Sequence, residues 1–159
     1  MEFFTIGVYN STEKEFFEKL KVNNIDTFCD IRRRRGVRGA KYAFVNSNKL
    51  QEKLKELEIN YGYIPELAPT NEIRELQKEV DLAKGELKRE RQGLSKVFII
   101  EYKNKILKEF GFETFIEKLE QIGANKVVFF CVEEIPSACH RSIVSDKLAE
   151  KYNYRITHL

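Results

Sequence analysis

The chain has 159 residues, 42% of them apolar, enough for one domain around a single core and too few for two. Twenty-eight basic and 25 acidic side chains leave a formal charge of only +3, from which no general electrostatic pull toward nucleic acid follows. No apolar run approaches the roughly 18 residues of a membrane span, and Met1-Glu2-Phe3-Phe4-Thr5 opens no leader pattern, so a soluble, unexported protein with no membrane partner is expected.

Phe3 to Val8 reads as a first strand. Tyr9-Asn10-Ser11 then turns into a helix capped by Thr12, with Glu15 placed to complete a capping box and Phe16, Phe17 and Leu20 on one apolar face. Ile25 to Ile31 is a second strand that ends in Arg32, Arg33, Arg34, Arg35, Arg38 and Lys41, six cations in ten residues with no acid among them. Asn46 to Glu58 is helical, because Leu50, Leu54 and Leu57 recur at i, i+4, i+7, and Ile59 to Ile64 follows as a third strand. Pro69-Thr70-Asn71 opens a longer helix with the apolar stripe Ile73, Leu76, Val80, Ala83 and Leu87, read as core. Ser95 to Phe110 contains a strand-like Val97-Phe98-Ile99-Ile100, but Tyr102, Ile106, Leu107 and Phe110 continue a helical face, which favours helix. Phe112 to Ile122 is an amphipathic helix bounded by Gly111 and Gly123. A strand at 126–131, a helix from Ser137 to about Lys151 and a last strand from Tyr154 to Leu159 complete the chain.

Strands alternating with helices define an α/β fold: a single domain with a mostly parallel sheet of about five strands and helices on both faces. The carboxyl ends of parallel strands share one edge, and Asn10, Asp30, Arg32, Cys131 and His158 fall at such ends. Open α/β sheets hold their ligands there.

Between Lys126 and Arg141 the chain concentrates two of its three cysteines and one of its two histidines. A helix opening at Ser137 would turn the amides of Ala138, Cys139 and His140 toward an anion, with Arg141 and Arg32 closing on it as bidentate forks. Cys139 in that setting has its pKa lowered, as a nucleophile needs, and Cys131 at a strand end is the second candidate. Each has a plainer reading, with Cys139 as a small apolar residue, Pro136 and Ser137 as caps, and Arg141 paired with Glu133 or Asp30. Nine residues separate Cys131 from Arg141, too many for the familiar phosphatase loop. Asp30 and Glu133 are the candidate proton carriers, with ion pairing the simpler role for Glu133. The seven residues between Cys131 and Cys139 lack the Cys-x-x-Cys pitch of structural zinc sites, so neither metal nor cofactor is expected. Cys29 reads as a buried free thiol, and three cysteines in one chain suit a reducing cytoplasm. Arg32 follows Asp30 by two and so shares its side of the strand, whereas Arg33 to Arg35 read as surface contacts for a polyanion.

Thr5-Ile6-Gly7 with Asn10, Asp30-Ile31-Arg32, Cys131-x-Glu133-x-x-Pro136-x-x-Cys139-His140-Arg141 and the terminal His158 together resemble the domain-of-unknown-function 488 family. Family members usually carry His and Ser where Val8 and Tyr9 stand here, so no role resting on that histidine transfers. The glycine pair usual after the third strand is replaced by Glu66-Leu67-Ala68-Pro69, which marks a divergent branch with a longer arginine loop. The resemblance implies an α/β domain with a polar cleft built from Asp30, Arg32, Cys131, Glu133, Cys139, His140 and Arg141, and it implies no activity. Two readings of function stand. In the first, an anionic ligand such as a phosphate-bearing nucleotide or a nucleic-acid end binds in the cleft, where Arg32, Arg33, Arg141, His140 and Asn10 hold it and an enzyme would act through the thiols. In the second, a non-catalytic nucleic-acid-binding module uses the arginine loop.

Overall fold

The computed structural model describes residues 1–88 and 90–159. Five strands, β1 (Glu2–Ile6), β2 (Thr27–Asp30), β3 (Asn60–Tyr63), β4 (Lys126–Phe130) and β5 (Ile156–His158), form one sheet in the order β3-β2-β4-β1-β5 with every pairing parallel. Six α-helices connect them: α1 (Glu13–Val22), α2 (Ser47–Glu56), α3 (Asn71–Lys84), α4 (Lys96–Tyr102), α5 (Phe112–Gln121) and α6 (His140–Tyr152). The α/β architecture read from the sequence is the one observed. None of the helices is long and apolar enough to cross a membrane, among the described residues.

Strand alternation divides the core in two. Phe4, Ile6, Phe28, Val128 and Phe130 point to one face, where Phe16, Phe17 and Leu20 of α1 and Leu50 and Leu54 of α2 cover them. Phe3, Cys29, Val127 and Phe129 point to the other, under Ile73 of α3, Phe98 and Tyr102 of α4, Phe115 and Leu119 of α5, and Ile143 and Leu148 of α6. The chain therefore winds out from β1 to β3 with its helices on one face and returns through β4 to β5 with them on the other. β4 lies between β1 and β2, and its following loop departs to the opposite face from theirs. Ligand crevices form where connections diverge in this way.

Local chemistry explains the individual elements. Thr12 and Glu15 form the expected capping box, with Thr12 Oγ1 accepting from the Glu15 amide at 3.2 Å and Glu15 Oε2 accepting from the Thr12 amide at 2.7 Å. Thr70 and Ser95 cap α3 and α4 with their side-chain oxygens alone, accepting from the Ile73 and Phe98 amides. The ambiguous 95–110 segment is helical, with α4 running into a single π turn at Lys103–Leu107.

Two expectations need correction. The inward face of α3 is Ile73, Gln77 and Asp81, while Leu76 and Val80 are half-buried and Ala83 and Leu87 are exposed. That helix walls a polar cavity, so its buried face need not be apolar. The last helix starts at His140 and not at Ser137, because Pro136–Ala138 forms a separate 3-10 turn and Cys139, in an extended conformation, caps α6.

Candidate functional site: a cationic cavity with a thiol–imidazole cluster

The loop from β4 to α6 is organised from within by Arg141. Its side chain is fully buried, and the guanidinium donates to the carbonyl oxygens of Glu133 and, at 2.8 Å, of Glu134. The β1 end anchors the same loop, since the Val8 and Tyr9 amides both donate to the Val132 carbonyl at 3.2 and 3.1 Å. Arg141 thus binds backbone and does not reach the cavity wall, contrary to its expected role as an anion fork. The amides of Ala138 and Cys139 are likewise committed, to the Ile135 and Pro136 carbonyls, so they offer nothing to an anion.

At the start of α6, three donor atoms converge. His140 Nδ1 lies 3.9 Å from Cys131 Sγ and 3.7 Å from Cys139 Sγ, and all three atoms are within 4.8 Å of one another. His140 Nε2 sits 3.1 Å from the Ile31 carbonyl oxygen, which only accepts, so Nε2 carries a proton and Nδ1 is the ring nitrogen that faces the sulfurs. Tyr102 packs against the imidazole, with ring centroids 5.7 Å apart. The two thiols differ. Burial opposes ionisation of Cys139, but the neighbouring Cys131 thiol, the Arg141 charge and the Arg141 amide outweigh burial and bring it down to about 7. Cys131 is pushed up, first by the adjacent Cys139 and then by burial. A thiolate beside an imidazole is competent both as a nucleophile and as a metal ligand.

The cluster lines a cavity of about 650 Å³, a size typical of small-molecule sites. Arg32, Arg33, Arg34, Arg74, Lys78, Lys88 and Arg91 line it, against only three carboxylates, Glu75, Asp81 and Glu133. Several of these charges are paired: Lys88 with Glu133 at 2.9 Å, Arg91 with Asp81 at 2.9 Å and Lys78 with Glu75 at 3.1 Å. Arg33, Arg34 and Arg74 have no ion-pair partner among the described residues. Arg32 and Arg91 are both buried, and Arg32 Nη1 and Arg91 Nε have no hydrogen-bond partner among the described residues. Burial disfavours the Lys88 ammonium, but Glu133 more than compensates and its pKa is raised.

The other expected site residues divide clearly. Asp30 is buried and holds Arg32 through two bonds, Nε to Oδ1 at 2.8 Å and Nη2 to Oδ2 at 2.7 Å, and also accepts from the Tyr61 hydroxyl. It positions Arg32, whose guanidinium also lies 4.5 Å from the Phe130 ring centroid, and does not itself line the cavity. Cys131, Glu133, Cys139, His140, Arg32 and Arg33 do line it. Asn10, at a φ of 61°, turns its amide to Glu134 outside the cavity. His158 lies on the edge strand against Thr5 Oγ1 at 2.7 Å. Arg35 stacks over Tyr63 at 4.3 Å and is half-buried, so it leaves the set of exposed arginines. Gln77, Asp81, Lys88 and Arg91 were not identified from the sequence, where no pattern marks these polar side chains as lining a cavity. Gln77 Nε2 donates to Asp81 Oδ1 at 2.6 Å, the Ser95 amide to Gln77 Oε1 at 2.8 Å, and Arg91 Nη2 to the Ala138 carbonyl at 2.9 Å.

Fold and site together define a doubly wound α/β protein with a cationic, thiol-bearing cavity at the strand carboxyl ends. The chain belongs to the family described as domain of unknown function DUF488, whose model matches residues 12–148. That span contains Asp30-Ile31-Arg32 and the whole Cys131-to-Arg141 block. No curated protein and no solved structure matches the chain.

Proposed function

We propose that the cavity binds a phosphate-bearing anion of nucleotide size, with Arg32, Arg33, Arg34, Arg74 and Arg91 as its cationic wall. The observation that carries this reading is that Arg32 and Arg91, two buried arginines lining the cavity, each keep a guanidinium N–H without a partner among the described residues. A buried donor left unmade costs about 1–3 kcal/mol, which an anionic oxygen would recover. Asp30 and Asp81 hold these two arginines in place, so the wall is built before a ligand arrives.

Calorimetric titration with inorganic phosphate and with mononucleotides tests it. Saturable binding should weaken with salt and fall by about tenfold in Arg74→Ala and in Arg34→Ala. Arg38→Ala, at an exposed residue outside the cavity, should bind as the parent does. Equal affinity in all three variants would remove the cavity as the site. The second reading, a nucleic-acid-binding module, draws on Arg33, Arg34, Arg38 and Lys41, all exposed on the loop after β2. It predicts that oligonucleotides bind where mononucleotides do not, with a salt slope that flattens by about one unit per phosphate contact removed.

A further inference from the structure

The thiol–imidazole cluster has a geometry that anion binding does not use. Cys131 comes from the end of β4, and Cys139 and His140 come from the cap and first residue of α6, so the donors are set by the fold and not by a short sequence pitch. A tetrahedral ion with metal–sulfur bonds of about 2.3 Å and metal–nitrogen bonds of about 2.0 Å has sulfur–nitrogen edges of about 3.5 Å. The observed sulfur–nitrogen separations of 3.7 and 3.9 Å need only a few tenths of an ångström of closure, and the two sulfurs, within 4.8 Å of each other, would close by up to about 1 Å to reach a tetrahedral edge of about 3.8 Å. The imidazole is already oriented as a ligand: its distal Nε2 proton is held by the Ile31 carbonyl, as the remote nitrogen of metal-bound histidines is held, and Nδ1 faces both sulfurs. All three side chains are at least nine-tenths buried, and all three line the cavity.

We infer that Cys131, Cys139 and His140 form a binding site for a thiophilic divalent metal ion, with Zn²⁺ the best fit, completed by a fourth ligand from the cavity side. Two sulfurs and one imidazole nitrogen select zinc over the hard cations, which prefer oxygen. Three protein ligands with the remaining position open is the arrangement of catalytic zinc centres, whereas structural centres are closed by four. The proposal departs from the expectation of no metal. The seven-residue gap between the cysteines is too wide for a knuckle, but here a strand end and a helix start bridge it.

Cobalt serves as the probe. The full chain, reduced and stripped with chelator, is titrated with Co²⁺ in buffer free of phosphate and nucleotides, so the outcome is separate from that of anion binding. One equivalent should bind, giving intense visible bands of tetrahedral cobalt together with sulfur-to-cobalt charge transfer, and Zn²⁺ should displace it. Cys131→Ser, Cys139→Ser and His140→Gln should each weaken binding by more than about tenfold, while Cys29→Ser should not. Circular dichroism checks that each variant is folded. The parent spectrum decides the matter even if a variant is not: weak octahedral bands without charge transfer, or no binding, would overturn the site. Parent-like binding by the folded Cys139→Ser protein would do the same.

Discussion

Gly7, at the end of β1, has no room for a side chain. A Cβ built there would overlap the Glu133 carbonyl oxygen and stand 3.2 Å from Arg141 Nη2. The carbonyl is backbone held by a fully buried guanidinium, so it has no rotamer by which to move away. Gly7→Ala should therefore destabilise the protein by about 1–3 kcal/mol and loosen the loop that carries Cys131 and Glu133. Gly36→Ala provides the contrast, because its Cβ would meet only Asn46 Oδ1 at 3.8 Å, and it should stay within about 0.5 kcal/mol of the parent. Urea midpoints measure both, and equal midpoints would mean that β1 and the loop are not in close approach. The same logic recasts Arg141. Its place between Cys139 and the loop carbonyls makes it a positioning residue, so its removal should cost stability before it costs ligand affinity.

Among the elements, α3 shows where the sequence was legible and where it was not. Strands, caps and the helical reading of 95–110 followed from periodicity and capping residues, because burial of an apolar face is what sets those periods. The phase of α3 was misjudged for the same reason. Ile73, Gln77 and Asp81 recur at spacings of four and face inward, but two of the three are polar, and no single-sequence pattern marks a polar face as buried. The partner Arg91 lies ten residues beyond Asp81 in the segment between α3 and α4, so the network exists only once the chain has turned back. By contrast, the Cys131-to-Arg141 block was visible because its residues are close in sequence, although the convergence of His140 on both sulfurs depends on the 3-10 turn that delays α6. The pairing has an energetic consequence. Asp81→Ala leaves Arg91 buried and charged without its carboxylate and should cost about 3 kcal/mol or more. Asp81→Ala combined with Arg91→Met should cost less than the sum of the single changes, and additivity in the double-mutant cycle would show that the pair contributes nothing through its interaction.

At the scale of the whole molecule, the doubly wound sheet holds ionisable groups within its strands and their cover, which ties stability to alkaline pH. Cys29 on β2 lies under α-helical cover and beside Asp30, and burial first, then the Asp30 charge, pushes its thiol up to about 12 from an ordinary 9.0. Tyr61 on the neighbouring β3 is raised from 10.0 to about 12, by burial and then by Asp30. The folded chain thus keeps these protons over a range where the unfolded chain has released them. With fewer protons bound in the unfolded state, the derivative of unfolding free energy with pH is negative, so stability falls as pH rises. The contribution of the neutral Cys29 thiol is complete below about pH 9 and gone by about pH 12, with a limiting slope of about 1.4 kcal/mol per pH unit. Cys29→Ala removes that titration and adds only a constant packing cost, since the lost sulfur volume does not depend on pH. Urea midpoints measured from about pH 8 to pH 11 should therefore decline more steeply in the parent than in Cys29→Ala, whose deficit at neutral pH narrows as the buffer becomes alkaline. Parallel declines would mean that the Cys29 thiol ionises as readily in the folded sheet as in the unfolded chain.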